Sequence, residues 1–180
     1  DALKQAVDEL ELEVADEAFV SKFVVTDDSI DRHGDTVNPK GGDLNQYNGV
    51  WFLNHMSLDL PIGKTVKIWK HKNTIKAVEQ FTLPDENPVG HMVGNLYHKG
   101  FMHDVSIGFL IKEAQLAEDR TDDYWWPADI KTWELIEISN VGVGANRNAK
   151  EEKAFWAEAR KAGVDVSPFI ELSERLAEEH

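Results

Sequence analysis

Residues 103–111, HDVSIGFLI, carry one hydroxyl, that of Ser106, in the middle of an apolar run. Val105 and Ile107 flank the serine and favour extended backbone, so the stretch predicts a strand with a hydroxyl at its centre. A lone serine on a strand is usually a hydrogen-bonded structural residue. Nucleophilic chemistry needs a neighbouring base and a group that orients the base, and the remainder of the chain supplies candidates for both.

The length and composition of the chain suit a single domain with a hydrophobic core, and they exclude cysteine chemistry. The 180 residues suit one domain, and 42% of them are hydrophobic, including six Trp and eight Phe, which is enough for a sizeable core. The chain has no cysteine. Disulfides, thiolate nucleophiles and cysteine-ligated zinc are therefore excluded, and the composition is compatible with a reducing compartment.

The charge narrows the classes of partner. Nineteen basic and 33 acidic residues give a formal net charge of −14, which argues against a surface that follows nucleic-acid phosphates or an anionic membrane. The sequence contains no run of 18 apolar residues and no basic segment followed by an apolar one at its start. We therefore expect no transmembrane helix, no signal peptide, no membrane partner and no nucleic-acid partner.

Alternation of apolar and polar residues, together with turn residues, predicts the order of the elements. Strands are expected over residues 18–26, 50–55, 65–69, 74–82, 105–112 and 133–143. Helices are expected over residues 89–99, 149–161 and 167–179. The first of these helices has apolar residues at helical spacing and ends at a glycine, Gly100.

This order of elements predicts an α+β fold that is mostly antiparallel β. We expect a closed or partly closed β-barrel of about six or seven strands, surrounded by helices. The chain would divide into a lead-in segment over residues 1–17, the β-barrel domain over 18–150, and C-terminal helices over 151–180 that pack on the domain or extend from it.

Three residues on separate predicted strands carry the groups that serine chemistry requires. His55 ends the apolar run 50–55, and Glu137 lies within 133–143. With Ser106 they supply an imidazole base, a carboxylate to orient it, and a hydroxyl nucleophile. Their separations of 51 and 31 residues (106 − 55 and 137 − 106) are too long for a local motif, so the assembly depends on the fold.

Other interpretations of these residues remain open on sequence grounds. His55 can be a buried, hydrogen-bonded histidine, and Glu137 can pair with a surface lysine. Asp104 lies two residues before Ser106, on the same side of a regular strand, and is a rival orienting group. In a regular strand Glu134 and Glu137 point to opposite faces, so at most one of them faces the serine.

Three further histidines invite a metal interpretation. His91 and His98 are seven residues apart and share a helical face, and His103 follows soon after. Ligand pairs on a helix usually stand three or four residues apart, however, and no carboxylate is placed between these histidines. We therefore expect no metal and no other cofactor.

Six short motifs then occur in one order across residues 18–150. They are DRHGD at 31–35, FLNH at 52–55, PIGK at 61–64, VSIGF at 105–109, LIEIS at 135–139 with Val141, and Ala145-Asn146 with Ala149. Their order and spacing resemble the tailed-phage prohead (head-maturation) protease family, which is similar in fold to the herpesvirus maturational protease, assemblin. The resemblance covers most of the chain.

The resemblance implies a serine endopeptidase that acts inside the phage prohead, in the cytoplasm of the host bacterium. Its substrates would be the phage scaffold and the major capsid protein, and often the protease itself; a homo-oligomer is compatible with it. Carried over by motif, Ser106 is the nucleophile and His55 the general base. Glu137 is the candidate third member, although herpesvirus enzymes use a second histidine there.

The chain departs from the family pattern at two positions, Met56 after the histidine and Gly144 before the Ala-Asn pair. The second departure concerns the loop that we expect to supply oxyanion donors, with Gly144, Asn146 and Arg147 as candidates. Two alternative functions remain at this stage: a catalytically silent phage head scaffold or interaction protein with the same fold, and an acidic β-rich binding module without a viral connection.

Overall fold

The computed structural model describes residues 18–120 and 126–152. Within these ranges eight strands form one sheet and one α-helix packs against it. The strands are β1 Val20–Asp27, β2 Thr36–Val37, β3 Gly42–Asp43, β4 Val50–Leu53, β5 Gly63–His71, β6 Thr74–Phe81, β7 Asp104–Leu116 and β8 Ala128–Val141. The α-helix is α1, Pro88–His98, and a short 3₁₀ turn spans Pro39–Gly41.

Strand β8 is the axis of the sheet. It pairs with β7 in antiparallel fashion along one edge, and with β2, β3 and β4 in parallel along the other. From β4 the sheet continues through β5 and β6 to β1, with every neighbouring pair antiparallel. The expectation of a mostly β, mostly antiparallel fold is confirmed; the parallel pairings on β8 were not predicted.

The expectation of a closed or partly closed barrel surrounded by helices is corrected in two respects: in the described residues the sheet curls into a half-barrel and does not close, and one α-helix is present instead of a surrounding layer. Residues 149–152 account for part of this difference, because the sequence predicts the start of a helix there. They are instead extended and bridge the two ends of the sheet, through the pairs Phe23–Glu151 and Asp104–Lys150. Two isolated bridges do not make a continuous ladder.

The division of the chain into three segments stays a prediction. The lead-in segment 1–17, most of the helix predicted over 149–161 and all of the helix predicted over 167–179 lie outside the described residues.

Helix α1 forms because its first turn is capped and one face is apolar. The side chain of Asn87 accepts the N–H of Val89, and Pro88 occupies the first turn, where its missing N–H is not needed. Val93 and Tyr97 are buried, and the Tyr97 ring packs edge-on to Phe23 with centroids 5.2 Å apart. The helix predicted at 89–99 is therefore confirmed, shifted by one residue.

In the described part of the core, the carboxyl group of Glu79 on β6 is fully buried. The Asn140 side-chain N–H donates to Glu79 Oε2 at 3.0 Å. Burial raises the pKa of Glu79 well above its ordinary value, against the opposing effect of the Asn140 hydrogen bond. The main-chain oxygen of Asn140 accepts the N–H of Asn54 at 3.0 Å, so this part of the core lies directly beneath the turn that carries His55.

Candidate active site

His55 stands in a tight turn immediately after β4. Asn54 and His55 both have left-handed backbone, with φ of 52° and 60°, a conformation that non-glycine residues seldom adopt and that is held by surrounding structure. Here the support comes from β8: Asn140 O accepts the N–H of Asn54, and Ser139 Oγ accepts the N–H of His55 at 3.1 Å. The parallel pairing of β4 with β8 thus fixes the position of His55.

The imidazole of His55 is hydrogen-bonded to Glu137. The distance between His55 Nδ1 and Glu137 Oε1 is 2.5 Å, and the side chains are 43% and 7% exposed. This hydrogen bond raises the pKa of His55 above its ordinary value, while partial burial opposes the increase. A carboxylate only accepts, so Nδ1 carries the proton and Nε2 is the basic nitrogen of the neutral ring.

Ser106 lies on β7 directly opposite Ser139 on β8. Directly opposed residues of an antiparallel pair share one face, with Cβ atoms about 4.5–5.5 Å apart. Ser106 is therefore next to the residue whose hydroxyl contacts both His55 and Glu137. Among the described residues no hydrogen bond joins His55 to Ser106; contacts between nucleophile and base are often long without substrate.

The two serines of this face differ in accessibility. Ser139 is fully buried, and its hydroxyl donates to Glu137 Oε2 at 2.6 Å. Ser106 is half-buried, and its hydroxyl has no hydrogen-bond partner in the described part of the chain. Of the two hydroxyls, that of Ser106 is the one able to reach a substrate.

A β-bulge in β8 lies immediately before Glu137. Gly108 pairs with Glu137, whereas the next residue, Phe109, pairs with Leu135, which leaves Ile136 as an extra residue. The bulge breaks the alternation of the strand, and Glu137 shares a face with Ser139, to which it is hydrogen-bonded. Because the bulge lies between Glu134 and Glu137, the expectation that these two side chains point to opposite faces of a regular strand does not hold.

Gly108 leaves the space that the Glu137 carboxyl fills. A Cβ on Gly108 would lie 2.4 Å from Glu137 Oε1, the oxygen bonded to His55. In the sequence this glycine is visible only as part of the motif VSIGF. The close approach explains why the strand carries Gly two residues after Ser106.

Gly108→Ala is therefore expected to displace the Glu137 carboxyl, whose other oxygen is held by Ser139, and to lower kcat by about 10- to 100-fold, the effect of losing one hydrogen bond to a charged group. Steady-state cleavage of a peptide substrate measures it. Gly142→Ala is the matched control, because a Cβ there meets no atom within 4 Å. Equal rates in the two variants would contradict the assignment.

Asp104, the rival orienting group, lies away from the imidazole contact. Its Oδ2 accepts the N–H of Gly144 at 3.0 Å, and Lys150 Nζ is 4.0 Å from its Oδ1. The structure thus brings Glu137, rather than Asp104, to the ring of His55.

The three candidate oxyanion residues lie in the loop after β8, each with one donor group in use. The N–H of Gly144 donates to Asp104, and the Asn146 amide donates to Asp27 Oδ1 at 2.8 Å. Arg147 Nη1 donates to the main-chain oxygen of Ile30 at 3.3 Å. Ala145, Asn146 and Ala149 of this segment line a small cavity of about 40 Å³ together with Ser106 and Ile107.

The helix histidines contact an aromatic ring. His91 and His98 of α1 both lie against Phe19, with ring centroids 4.9 and 5.9 Å apart. In the ranges that the structure covers, no group of three His, Asp or Glu side chains is arranged to hold a metal ion.

No helix in these ranges is long and apolar enough to cross a membrane.

A family model covers most of the chain. The model described as caudovirus prohead serine protease matches residues 4–161. A search of the curated proteins finds no match. The matched range includes His55, Ser106 and Glu137 and every described strand. The chain therefore belongs to the caudovirus prohead serine protease family, and its role is that of a serine peptidase in phage head maturation.

Proposed function

We propose that this protein is an endopeptidase whose nucleophile is Ser106, whose general base is His55 and whose third catalytic group is Glu137. The observation that carries the proposal is the 2.5 Å contact between His55 Nδ1 and Glu137 Oε1, on the face of the sheet that Ser106 shares. It supplies the base with an orienting carboxylate and leaves Nε2 for proton transfer.

In the proposed reaction, substrate binding brings Ser106 Oγ and His55 Nε2 together. Nε2 takes the hydroxyl proton as Oγ bonds to the peptide carbonyl carbon, and the imidazolium is stabilised by Glu137. The proton then passes to the leaving amine as the C–N bond breaks, which leaves an ester on Ser106. Water, deprotonated by His55, cleaves the ester and restores the serine.

We place the oxyanion donors among Gly144, Asn146 and Arg147, in the loop that follows β8. Asn146 lines the cavity next to Ser106, and Arg147 has guanidinium N–H groups beyond the one given to Ile30. Gly144 and Asn146 would have to leave Asp104 and Asp27 before donating to substrate. A positioned donor contributes about 10²–10³-fold to such reactions.

The proposed substrates are the scaffold and major capsid protein of the same phage, and the protease chain itself. Membership in a prohead protease family supports capsid-related substrates in general. We propose that the enzyme acts inside the prohead, where these proteins are concentrated around it.

The test has two parts. Diisopropyl fluorophosphate, which phosphorylates activated serines, should label Ser106, and peptide mapping should find no label on Ser21 or Ser139. Co-expression with the scaffold and capsid protein of the phage should yield cleaved products, which N-terminal sequencing identifies. Label on a different serine would overturn the nucleophile. An unlabelled protein that also leaves the co-expressed proteins intact would instead indicate a silent scaffold.

A further inference from the structure

The hydroxyl of Ser139 contacts two of the three proposed catalytic residues. It donates to Glu137 Oε2 at 2.6 Å and accepts the main-chain N–H of His55 at 3.1 Å. Ser139 is on β8, directly opposite Ser106 of β7 and Phe52 of β4. One buried hydroxyl oxygen therefore bonds both to the carboxylate of Glu137 and to the backbone of His55.

We propose that Ser139 is a positioning residue, whose hydroxyl holds the Glu137 carboxylate and the His55 backbone in the arrangement that the base requires. This inference rests on the proposed function. Ser139 is completely buried, so it does not contact substrate and acts through its two neighbours.

Each oxygen of the Glu137 carboxylate has its own hydrogen-bond partner. The terminal torsion of a glutamate has broad energy wells, so a single contact does not define the plane of the carboxylate. With Oε2 held by Ser139, Oε1 is fixed toward His55 Nδ1. Glu137 and Ser139 are two residues apart in a regularly paired part of β8, so their side chains share one face.

The hydroxyl of Ser139 also contacts the backbone of His55. A left-handed conformation at a non-glycine residue is strained and persists when neighbouring contacts impose it. The hydrogen bond from the His55 N–H to Ser139 Oγ is such a contact. A hydroxyl can donate one hydrogen bond and accept others at the same time, whereas Ala provides neither function at this position.

Ser139→Ala tests the proposal, with Ser21→Ala as the matched control. Ser21 is also a buried strand serine, and its hydroxyl donates to Glu151 Oε1 at 2.7 Å. We expect Ser139→Ala to lower kcat by about 10- to 100-fold, as for the loss of a hydrogen bond to a charged group, with KM within about twofold. Ser21→Ala should change neither constant by more than about twofold.

The pH profile separates positioning from general destabilisation. With Glu137 no longer held against the imidazole, the acid limb of kcat/KM should move to lower pH in Ser139→Ala and stay in place in Ser21→Ala. A lower rate with an unmoved limb, or with an increase of KM alone, would overturn the proposal.

Ser139→Cys keeps the experiment decisive if the alanine variant does not fold. A thiol is a weak donor and a weak acceptor of nearly the same shape, so we expect a folded protein with kcat lowered at least about tenfold. Parental kcat in a folded cysteine variant would overturn the positioning role. The proposed function fails by a different result, an active Ser106→Ala, so the two failures are distinguishable.

Discussion

Replacing Ser106 with alanine is expected to lower the rate of peptide-bond cleavage by about 10⁴-fold or more, with the chain still folded. In the proposed mechanism this hydroxyl forms the covalent bond to the substrate, and the hydroxyl of Ser139, which lies opposite it, cannot take its place. Ser139 is fully buried with its proton committed to Glu137. Steady-state assays on a peptide or on the co-expressed scaffold measure the loss.

The folded state should tolerate this substitution. Ser106 is half-buried, and its hydroxyl has no hydrogen-bond partner among the described residues, so alanine leaves no buried polar group unsatisfied. We expect the free energy of unfolding to change by less than about 1 kcal/mol, measured by urea denaturation. Cleavage at the parental rate by a folded Ser106→Ala protein would remove Ser106 as the nucleophile and leave the His55–Glu137 pair with a structural role.

Strands with strong local signals could be predicted from the sequence. The strands expected at residues 65–69 and 74–82 are found as β5, Gly63–His71, and β6, Thr74–Phe81, which form a hairpin. Its β-branched residues and the turn at Lys72 are local features, so a single sequence contains them. Strand β8 begins earlier than expected, at Ala128 rather than at residue 133, because its pairing with β7 extends the ladder beyond the apolar run.

Pairings between distant segments could not be predicted in the same way. The parallel ladder of β4 with β8 joins residues 51–53 to 138–140, and no local pattern encodes that choice. At residues 149–152 a local preference is present in the sequence, but the structure does not follow it. Their Ala, Lys and Glu favour a helix, yet bridges to Phe23 and Asp104 hold them extended, so tertiary contacts override propensity.

The candidate site could likewise be predicted only in part. The types and order of His55, Ser106 and Glu137 are visible in the sequence, because serine chemistry requires them. The bulge at Ile136 is a single extra residue in a strand and leaves no signature in the apolar pattern. Ser139 was missed, although its spacing of two from Glu137 puts the pair on one face of a strand; that spacing was the signal that could have identified it.

Glu137→Gln is expected to lower kcat by about 10²- to 10⁴-fold, since an amide has the shape of the carboxyl group but not its charge. The variant loses stabilisation of the imidazolium and the preference for a proton on His55 Nδ1. Glu134→Gln is the control: it lies on the same strand, and its carboxylate pairs with Lys112 at 3.1 Å instead of with His55. We expect its kcat to stay within about twofold of the parent.

The pH dependence gives Glu137→Gln a second readout. The hydrogen bond to Glu137 raises the pKa of His55, and His55 must be neutral to act as a base, so the acid limb of kcat/KM in the parent should lie above the ordinary histidine value of about 6.5. In Glu137→Gln the limb should move to lower pH.

The contribution of the His55–Glu137 pair to the free energy of unfolding should also depend on pH. Because the folded-state pKa of His55 is raised, the stabilisation from its charged pair with Glu137 is complete below about pH 6.5 and is lost as the pH rises through the folded-state value. The difference in unfolding free energy between the parent and Glu137→Gln should therefore be largest in acid and narrow toward alkaline pH. A folded Glu137→Gln with parental kcat and an unmoved acid limb would contradict the assignment. Asp104→Asn would then be the next variant to assay, because Asp104 was the rival orienting group.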